Sequence, residues 1–244
     1  MQDDKIFGRN PVLEAIKSGR EIDKIMIKKG GIEGSLNVII KKAKQAGIIV
    51  TEVDKQKLDA ICDGENHQGV VAYAAMHEYA SVTDILNLAK QKGQPPFIII
   101  CDKITDPHNL GSIIRTANCV GAHGVIIPKR NSVGINMTVA KTSAGAVEYT
   151  PVARVTNIAQ TIDSLKKEGV WVAGADMDGT EMTKCDFCGA LAIVIGSEGE
   201  GISRLVKEKC DFIASIPMFG QINSLNASVA ASVLMYEAQR QRNA

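Results

Sequence analysis

The second half of the chain alternates between two hydrophobic patterns. Short runs of β-branched residues, such as FIIIC at 97–101, are typical of strands buried on both faces of a parallel sheet. Between these runs, apolar residues recur at helical spacing. The predicted strands span 97–101, 124–127, 147–152, 170–174, 190–195 and 212–216, and the predicted helices span 109–121, 137–143, 157–168 and 226–240. The alternation predicts an α/β fold with a mostly parallel sheet covered on both faces.

The leading part of the chain shows a shorter alternation of the same kind. Strands are predicted at 23–27, 48–53 and 69–75. Helices are predicted after an N-cap at Asn10 with Pro11 in the first turn, over 35–46, and after an N-cap at Asp54. We therefore predict three parts, which are a small α/β domain over 1–76, a linker with a leading helix over 77–96, and a larger domain over 97–244.

Composition excludes several classes of protein. Hydrophobic residues make up 45% of the 244 residues and charged residues 23%, as in ordinary globular proteins. No apolar run approaches the roughly 20 residues that a membrane helix needs. The first residues, MQDDK, are polar and do not resemble a signal peptide. We therefore expect a cytoplasmic protein without a membrane partner.

Neither the charges nor the cysteines indicate a ligand on their own. The formal net charge of +1 favours a protein that does not bind nucleic acid, so any RNA contact must come from local clusters such as Lys28 and Lys29. The six cysteines include a pair at Cys185 and Cys188, but a second pair or a nearby histidine that would complete a zinc site is missing. We expect no metal.

Candidate chemistry lies where predicted strands end in small, polar or rigid residues. These places are 193–201 (IVIGSEGEG), 216–218 (IPM) followed by 224–230 (SLNASVA), and 102–115. Open α/β sheets bind their ligands at strand ends of this kind. The segments contain neither GxGxxG nor GxxxxGK(S/T), which argues against a dehydrogenase and against an NTPase.

Arg115 is a candidate functional residue with two open interpretations. On a helical wheel it lies about 140° from the middle of the apolar stripe of its predicted helix. It is either a solvated surface arginine or an anion-binding group on a helix whose N-terminus, predicted at Asn109, attracts negative charge. Arginine suits a phosphate because its guanidinium donates two parallel hydrogen bonds.

Three segments, taken in order, resemble the motifs of a known enzyme family. Residues 102–117 (DKITDPHNLGSIIRTA) are similar to the first motif of the SpoU/TrmH ribose 2′-O-methyltransferases. Residues 195–201 (IGSEGEG) resemble the second motif, and 216–218 with 224–230 resemble the third. Three motifs in the same order make the resemblance specific.

The leading segment extends this resemblance over nearly the whole chain. Residues 7–15 (FGRNPVLEA) and 67–71 (HQGVV) are similar to the substrate-binding domain of the family's ribosomal-RNA branch. One small departure is Ala227, which stands where valine is usual.

The resemblance implies a fold that periodicity does not show. The larger domain would be a SPOUT domain with a deep trefoil knot, an exception to the rule against threaded chains. The small domain would have a ribosomal-protein-L30e-like α/β fold. The family is dimeric, and the last helix would fit that role, although an ordinary buried helix is equally compatible with its sequence.

The resemblance also implies a site for S-adenosylmethionine in the knot. Its cofactor-binding residues would be Gly196, Ser197, Ile216, Met218, Ser224 and Leu225, and its catalytic residues would be Asn109, Arg115, Glu198 and Asn226. An arginine pKa above roughly 12 conflicts with a role as the base. We therefore expect Arg115 to clamp the target phosphate and stabilise the alkoxide, with the base unassigned. Asn109 would orient Arg115 or the ribose, and Glu198 would fix a donor or the arginine.

The activity implied by the resemblance is methyl transfer to the ribose 2′-hydroxyl of a guanosine in 23S ribosomal RNA. In the small domain, Arg9, Lys28, Lys29 and Gln68 would contact the RNA. A transfer-RNA guanosine is the alternative substrate, because the catalytic motifs are shared. A non-catalytic RNA-binding protein is the alternative from another class, and the joint presence of the four catalytic residues argues against it.

Overall fold

The computed structural model describes residues 5–30, 34–75 and 77–243. The chain divides into two compact units, one ending at Glu78 and the other beginning at Tyr79. Within the described ranges, no helix is long and apolar enough to cross a membrane, and no three His, Cys, Asp or Glu side chains are grouped as metal ligands.

The first unit is a small sheet with helices on both faces. Its elements in the described residues are β1 (Lys5–Phe7), α1 (Arg9–Lys17), β2 (Ile22–Lys28), α2 (Ser35–Gln45), β3 (Ile49–Val53), α3 (Lys55–Cys62) and β4 (Val70–Ala74). The strand order is β1-β4-β2-β3, in which β2 and β3 are parallel and the other pairs are antiparallel. Helices α1 and α2 cover one face around Ile25 and Ile39, and α3 covers the other around Leu58 and Val71.

The start of the first unit differs from prediction in two ways. The N-cap of α1 is Gly8, so the predicted cap at Asn10 is wrong. Gly8 has φ 88°, a backbone conformation that costs glycine little. The helix therefore begins at Arg9, two residues earlier than it would with a cap at Asn10. Strand β1 is absent from the prediction because three residues are too few to show a period.

The second unit is a parallel sheet between two layers of helices, which confirms the predicted α/β fold. Its elements are α4 (Val82–Gln91), β5 (Phe97–Cys101), α5 (Pro107–Cys119), β6 (Gly124–Pro128), α6 (Met137–Thr142), β7 (Val152–Val155), α7 (Ile158–Lys167), β8 (Trp171–Glu181), β9 (Leu191–Ile195), α8 (Arg204–Lys209), β10 (Phe212–Ser215) and α9 (Ala227–Arg242). Adjacent strands in the order β10-β8-β9-β5-β6-β7 are all parallel. Helices α5, α6 and α9 cover one face, and α4, α7 and α8 cover the other.

The strand order of the second unit reverses between β5 and β9. From β5 the chain adds β6 and β7 on one side and later places β8, β9 and β10 on the other. The carboxyl ends of β5 and β9 therefore face the crevice at which open α/β sheets bind ligands. Asp102 follows β5 and Gly196 follows β9, so the sheet brings two of the motif segments together.

The predicted N-cap at Asn109 is wrong. Helix α5 begins at Pro107, and Asp106 caps it by accepting a hydrogen bond from the His108 N–H at 2.9 Å. Asp followed by Pro is itself a strong start signal, because aspartate satisfies a free N–H and proline has none to satisfy. Asn109 thus lies inside the first turn, with its side chain available for other contacts.

Two other segments of the second unit differ from the predicted elements. The strand predicted at 147–152 is wrong, because Ala146–Glu148 form a 3-10 turn and the strand begins at Val152. Helix α8 is absent from the prediction. The predicted leading helix is present as α4 and packs Ile85 into the core of the second unit. The trefoil knot stays a prediction.

Candidate active site

Three segments that are far apart in the chain meet in one polar network at the crevice. The Asn109 Nδ2 group donates a hydrogen bond to Glu198 Oε1 at 3.0 Å. The Asn226 Nδ2 group donates to Asn109 Oδ1 at 2.9 Å and, in a short contact, to Glu198 Oε1. Asn109 is buried, whereas Glu198 and Asn226 are exposed. One carboxylate oxygen therefore accepts two amide hydrogens, and the other, Oε2, accepts none from a described residue.

Asn226 is held from both ends of its amide. Its Oδ1 atom accepts hydrogen bonds from the backbone N–H groups of Ser228 at 2.9 Å and Val229 at 3.3 Å, which caps α9. The capping bonds identify Oδ1 as the acceptor, so Nδ2 must face Asn109 and Glu198. The same side chain starts a helix and completes the network.

The loop after β9 is folded back on itself. Ser197 and Gly201 exchange two backbone hydrogen bonds, with N···O distances of 3.1 and 2.9 Å. A Cβ atom on Gly196 would lie 2.0 Å from the carbonyl carbon of Gly201, so this close approach requires glycine. The Lys103–Glu200 ion pair at 3.1 Å is exposed and adds little stability to the loop.

Asp102 is a site residue that the sequence does not single out within its motif. Its carboxylate is buried and accepts a hydrogen bond from the Ser203 N–H at 2.7 Å. Its own N–H donates to the carbonyl of Ile195 at 2.8 Å. Asp102 thus ties the end of β5 to both ends of the Gly196–Gly201 loop. An acidic residue directly after a fully buried strand is the one signal that points to it.

A pocket of about 410 Å³ opens beside the network. Its walls come from the loop after β9, the loop after β10 and the first turns of α9. All six predicted cofactor-binding residues line it, namely Gly196, Ser197, Ile216, Met218, Ser224 and Leu225. The volume lies in the range of small-molecule sites.

Carboxylates give the pocket a negative wall. Glu198, Glu200 and Asp176 all line it. Burial opposes ionisation of Asp176, but the hydrogen bond from Lys207, 2.9 Å away, and backbone N–H donors leave its pKa below the ordinary value. Lys103 and Lys207 already pair with Glu200 and Asp176, so Glu198 is the carboxylate of this wall that forms no ion pair with a described residue and can attract a positively charged ligand.

Arg115 does not join this network. It lies six residues beyond Asn109 on α5, which is about 9 Å along the helix axis and about 120° around it. Its side chain is exposed and makes no hydrogen bond or ion pair with another described residue. The expected contacts of Asn109 or Glu198 with Arg115 are therefore not present, and the guanidinium is available to a ligand.

Three of the four predicted RNA-binding residues line a pocket of about 640 Å³ within the first unit, namely Arg9, Lys28 and Gln68. The Arg9 Nε group donates to the Gln68 carbonyl at 3.0 Å, and its Nη1 group donates to Ser35 Oγ at 3.3 Å. These bonds fix the guanidinium at the rim. Lys29 is exposed and does not line the pocket.

Comparisons with known proteins agree with this geometry. Residues 96–236 match the model of the SpoU rRNA Methylase family, and residues 5–80 match the family of RNA 2′-O ribose methyltransferase substrate-binding domains. The chain is 50% identical over 243 residues to YacO of Bacillus subtilis strain 168, which is assigned to the TrmH family of tRNA/rRNA methyltransferases, with 99% of this chain and 97% of YacO covered. It is 52% identical over 244 residues to a protein with the same family assignment in Staphylococcus aureus strain MSSA476, covering 100% of this chain and 98% of that protein.

A solved structure shows the same fold. The SpoU methyltransferase AviRb from Streptomyces viridochromogenes, crystallised in complex with the cofactor AdoMet, superimposes with a TM-score of 0.61 at 24% identity, over 97% of this chain and 89% of AviRb. The sequence resemblance to SpoU/TrmH enzymes is confirmed by the family match and by the relatives. The chain belongs to the SpoU rRNA methylase family.

Proposed function

We propose that this protein transfers a methyl group from S-adenosylmethionine to the ribose 2′-hydroxyl of a guanosine in 23S ribosomal RNA, in the cytoplasm and as a homodimer. The observation that carries the proposal is the junction of Asn109, Glu198 and Asn226 beside the 410 Å³ pocket. A non-catalytic RNA-binding protein has no need of an amide–carboxylate network at a ligand pocket.

The pocket suits S-adenosylmethionine in charge and shape. The Glu198 carboxylate, which has no basic partner among the described residues, offsets positive charge on the sulfonium or the ammonium group. The Gly196 loop and the residues around Ile216 and Leu225 expose main-chain N–H and C=O groups, which are suitable partners for an adenine and a ribose. We assign the cofactor to this pocket.

The network is suited to orient the hydroxyl that is methylated. When bound, S-adenosylmethionine supplies a methyl carbon that its sulfonium already activates, so that a C–O bond forms as the C–S bond breaks. Glu198 Oε2 is free to accept the hydrogen bond of the 2′-hydroxyl, while Asn109 and Asn226 hold Oε1. A ribose hydroxyl is very weakly acidic, so a carboxylate or water takes its proton as the hydroxyl attacks, and negative charge develops on the oxygen.

Arg115 is assigned to the RNA phosphate rather than to the proton. Arginine stays protonated at any physiological pH, and its exposed guanidinium has no described partner. A phosphate held there would fix the strand on which the target ribose lies and would place positive charge near the developing alkoxide. Arg115→Ala is expected to abolish transfer and leave cofactor affinity largely intact.

The first unit is assigned to RNA capture. Its pocket holds the fixed guanidinium of Arg9 and the ammonium group of Lys28, and the side-chain amide of Gln68 adds a donor. Such a set recognises phosphates and exposed loop bases, which is how structured RNA is usually bound. Lys29 would contact the backbone outside the pocket.

Helix α9 and the loop before it supply the surface for a homodimer. Val229 and Tyr236 on the helix, and Phe219 and Ile222 on the loop, are exposed apolar side chains close to the cofactor pocket. Several large apolar side chains exposed on one helix and the adjoining loop are suited to a protein interface. The knotted arrangement expected of the family would place this surface next to the cofactor.

Methyl transfer with a labelled donor tests the proposal directly. Purified 23S ribosomal RNA and bulk transfer RNA are each incubated with the protein, and the modified nucleotide is mapped. Incorporation at a single guanosine of 23S RNA is the expected result, with Arg204→Ala, an exposed arginine of α8 paired with Glu208, as the control that retains activity. Label in transfer RNA alone would favour the second candidate, a transfer-RNA guanosine, which the tRNA/rRNA assignment of the relatives supports.

A further inference from the structure

The charges of the second unit are unevenly distributed along the chain. Residues 103–155 contain six Lys and Arg residues and two Asp and Glu residues, although the formal net charge of the whole chain is only +1. One of the two acids, Asp106, is occupied in capping α5. The segment that contains α5 and α6 is therefore locally basic.

Some cations of the second unit are paired with carboxylates, whereas Arg115 and Lys141 of this basic segment are not. Lys166, Lys184 and Lys209 each pair with a carboxylate at 2.6–2.9 Å. Arg115 and Lys141 are exposed and form no ion pair with any residue in the described ranges. Unpaired cations on a locally basic surface attract a polyanion.

The segment from Thr142 to Thr150 lies along the face of α5 that carries Arg115. Residues 108, 111, 115 and 118 form one stripe on the helix. At one end of the stripe, Thr142 Oγ1 lies 3.3 Å from His108 Nδ1. At the other end, Asn118 Nδ2 donates to Thr150 Oγ1 at 3.1 Å. The segment is thus attached on both sides of Arg115, with Lys141 next to its start.

Tyr149 stands out on this segment. Its side chain is 80% exposed, yet its backbone is fixed, because the N–H groups of Tyr149 and Thr150 both donate to the Ala146 carbonyl at 3.1 and 3.0 Å. Ala146 and Val147 are buried and anchor the turn to the core. A rigidly held, exposed aromatic ring is a suitable surface on which a nucleobase can stack.

We propose that Tyr149, Lys141 and Arg115 form a docking surface for a single-stranded RNA segment that flanks the methylated nucleotide. Tyr149 stacks against a base, and the two cations contact phosphates on either side of it. Glu148, which is exposed beside Tyr149, disfavours a phosphate at that point, so a base and not the backbone meets the ring. This inference rests on the proposed function, because it takes RNA as the partner.

The test compares RNA affinities of matched variants by fluorescence anisotropy with the RNA that the wild type methylates. Tyr149→Ala is expected to raise the Kd about tenfold, within the range that loss of one base stack produces. Tyr149→Phe retains the ring and should stay within about twofold of the wild type. Trp171→Ala removes another exposed aromatic, 61% exposed at the start of β8, and should also have no effect.

Two further measurements separate the contribution of the cations to RNA binding from effects on the cofactor pocket. Lys141→Ala should reduce the slope of log Kd against log salt by about 1, as expected for one lost phosphate contact. The Kd for S-adenosylmethionine should not change in any of these variants. A sedimentation-velocity run at the same protein concentration reports the oligomeric state.

Three outcomes would overturn the inference. Tyr149→Ala could bind RNA as the wild type does, Tyr149→Phe could be as weak as Tyr149→Ala, or the loss of affinity could coincide with dissociation of a dimer, which would assign Tyr149 to a protein interface. Failure of the proposed function looks different, because the wild type itself would then neither bind nor methylate RNA.

Discussion

Replacing Gly196 by alanine, which adds one methyl group, should strongly weaken cofactor binding. An alanine Cβ there would lie 2.0 Å from the Gly201 carbonyl carbon and 2.2 Å from the Ile202 nitrogen. Both are backbone atoms, so no side-chain rotation relieves the clash and the loop must open. Opening breaks the two hydrogen bonds between Ser197 and Gly201. At about 1 kcal/mol for each bond, with some loss of pocket contacts, the closed loop is disfavoured by about 2–3 kcal/mol. This corresponds to cofactor binding weakened about 30- to 150-fold.

Isothermal titration calorimetry of Gly196→Ala with S-adenosylmethionine measures this loss. Gly199→Ala is the matched control in the same loop, because a Cβ at that position meets no atom within 4 Å and its affinity should stay within about twofold of the wild type. Thermal unfolding verifies that both variants fold. If Gly196→Ala bound the cofactor as tightly as Gly199→Ala, the assignment of the pocket would be refuted.

Three other predictions concern the network, its support and the core. Glu198→Gln keeps an oxygen for the two amides but removes the charge, so kcat should fall about 100-fold, measured by single-turnover methyl transfer at saturating cofactor. Asp102→Ala removes the acceptor of the part-buried Ser203 N–H and should raise the cofactor Kd about tenfold, whereas Asp102→Asn keeps an acceptor and should behave nearly as the wild type. Equal effects of the two substitutions would contradict this role of Asp102. Burial lowers the pKa of His123 to about 4. Stability is therefore full above the unfolded-state pKa of about 6.5 and decreases by up to about 3 kcal/mol as the pH falls towards 4. Urea unfolding should show this decrease in the wild type and a weaker one in His123→Asn; equal pH profiles would contradict it.

The strands that build the crevice could be predicted because their own residues determine them. β5 and β9 are short apolar runs with every residue buried, and such runs have few alternatives to a central parallel strand. The strand predicted at 147–152 failed for a local reason. Ala144 and Gly145 have φ values of 50° and 83°, and this left-handed pair begins a turn that apolar content does not reveal.

The contacts inside the site could not be predicted, because they join residues far apart in sequence. Asparagine is a residue type favoured at helix N-caps. The side chain of Asn109 instead donates a hydrogen bond to Glu198, 89 positions away. Asp102 and Ser203 are separated by 101 positions. The six pocket residues could be named only through the motif resemblance, since no periodicity distinguishes Met218 or Ser224 from ordinary loop residues.

Asn226 both caps α9 and donates hydrogen bonds to Asn109 and Glu198, so the polar network depends on the folding of the last helix. The residue that caps the last helix also restrains the Glu198 carboxylate, so the network cannot be assembled before that helix docks. During synthesis, chain segments fold in order of their emergence. A chain in which that helix has not yet docked would therefore hold neither the Asn109 nor the Glu198 side chain in the observed arrangement.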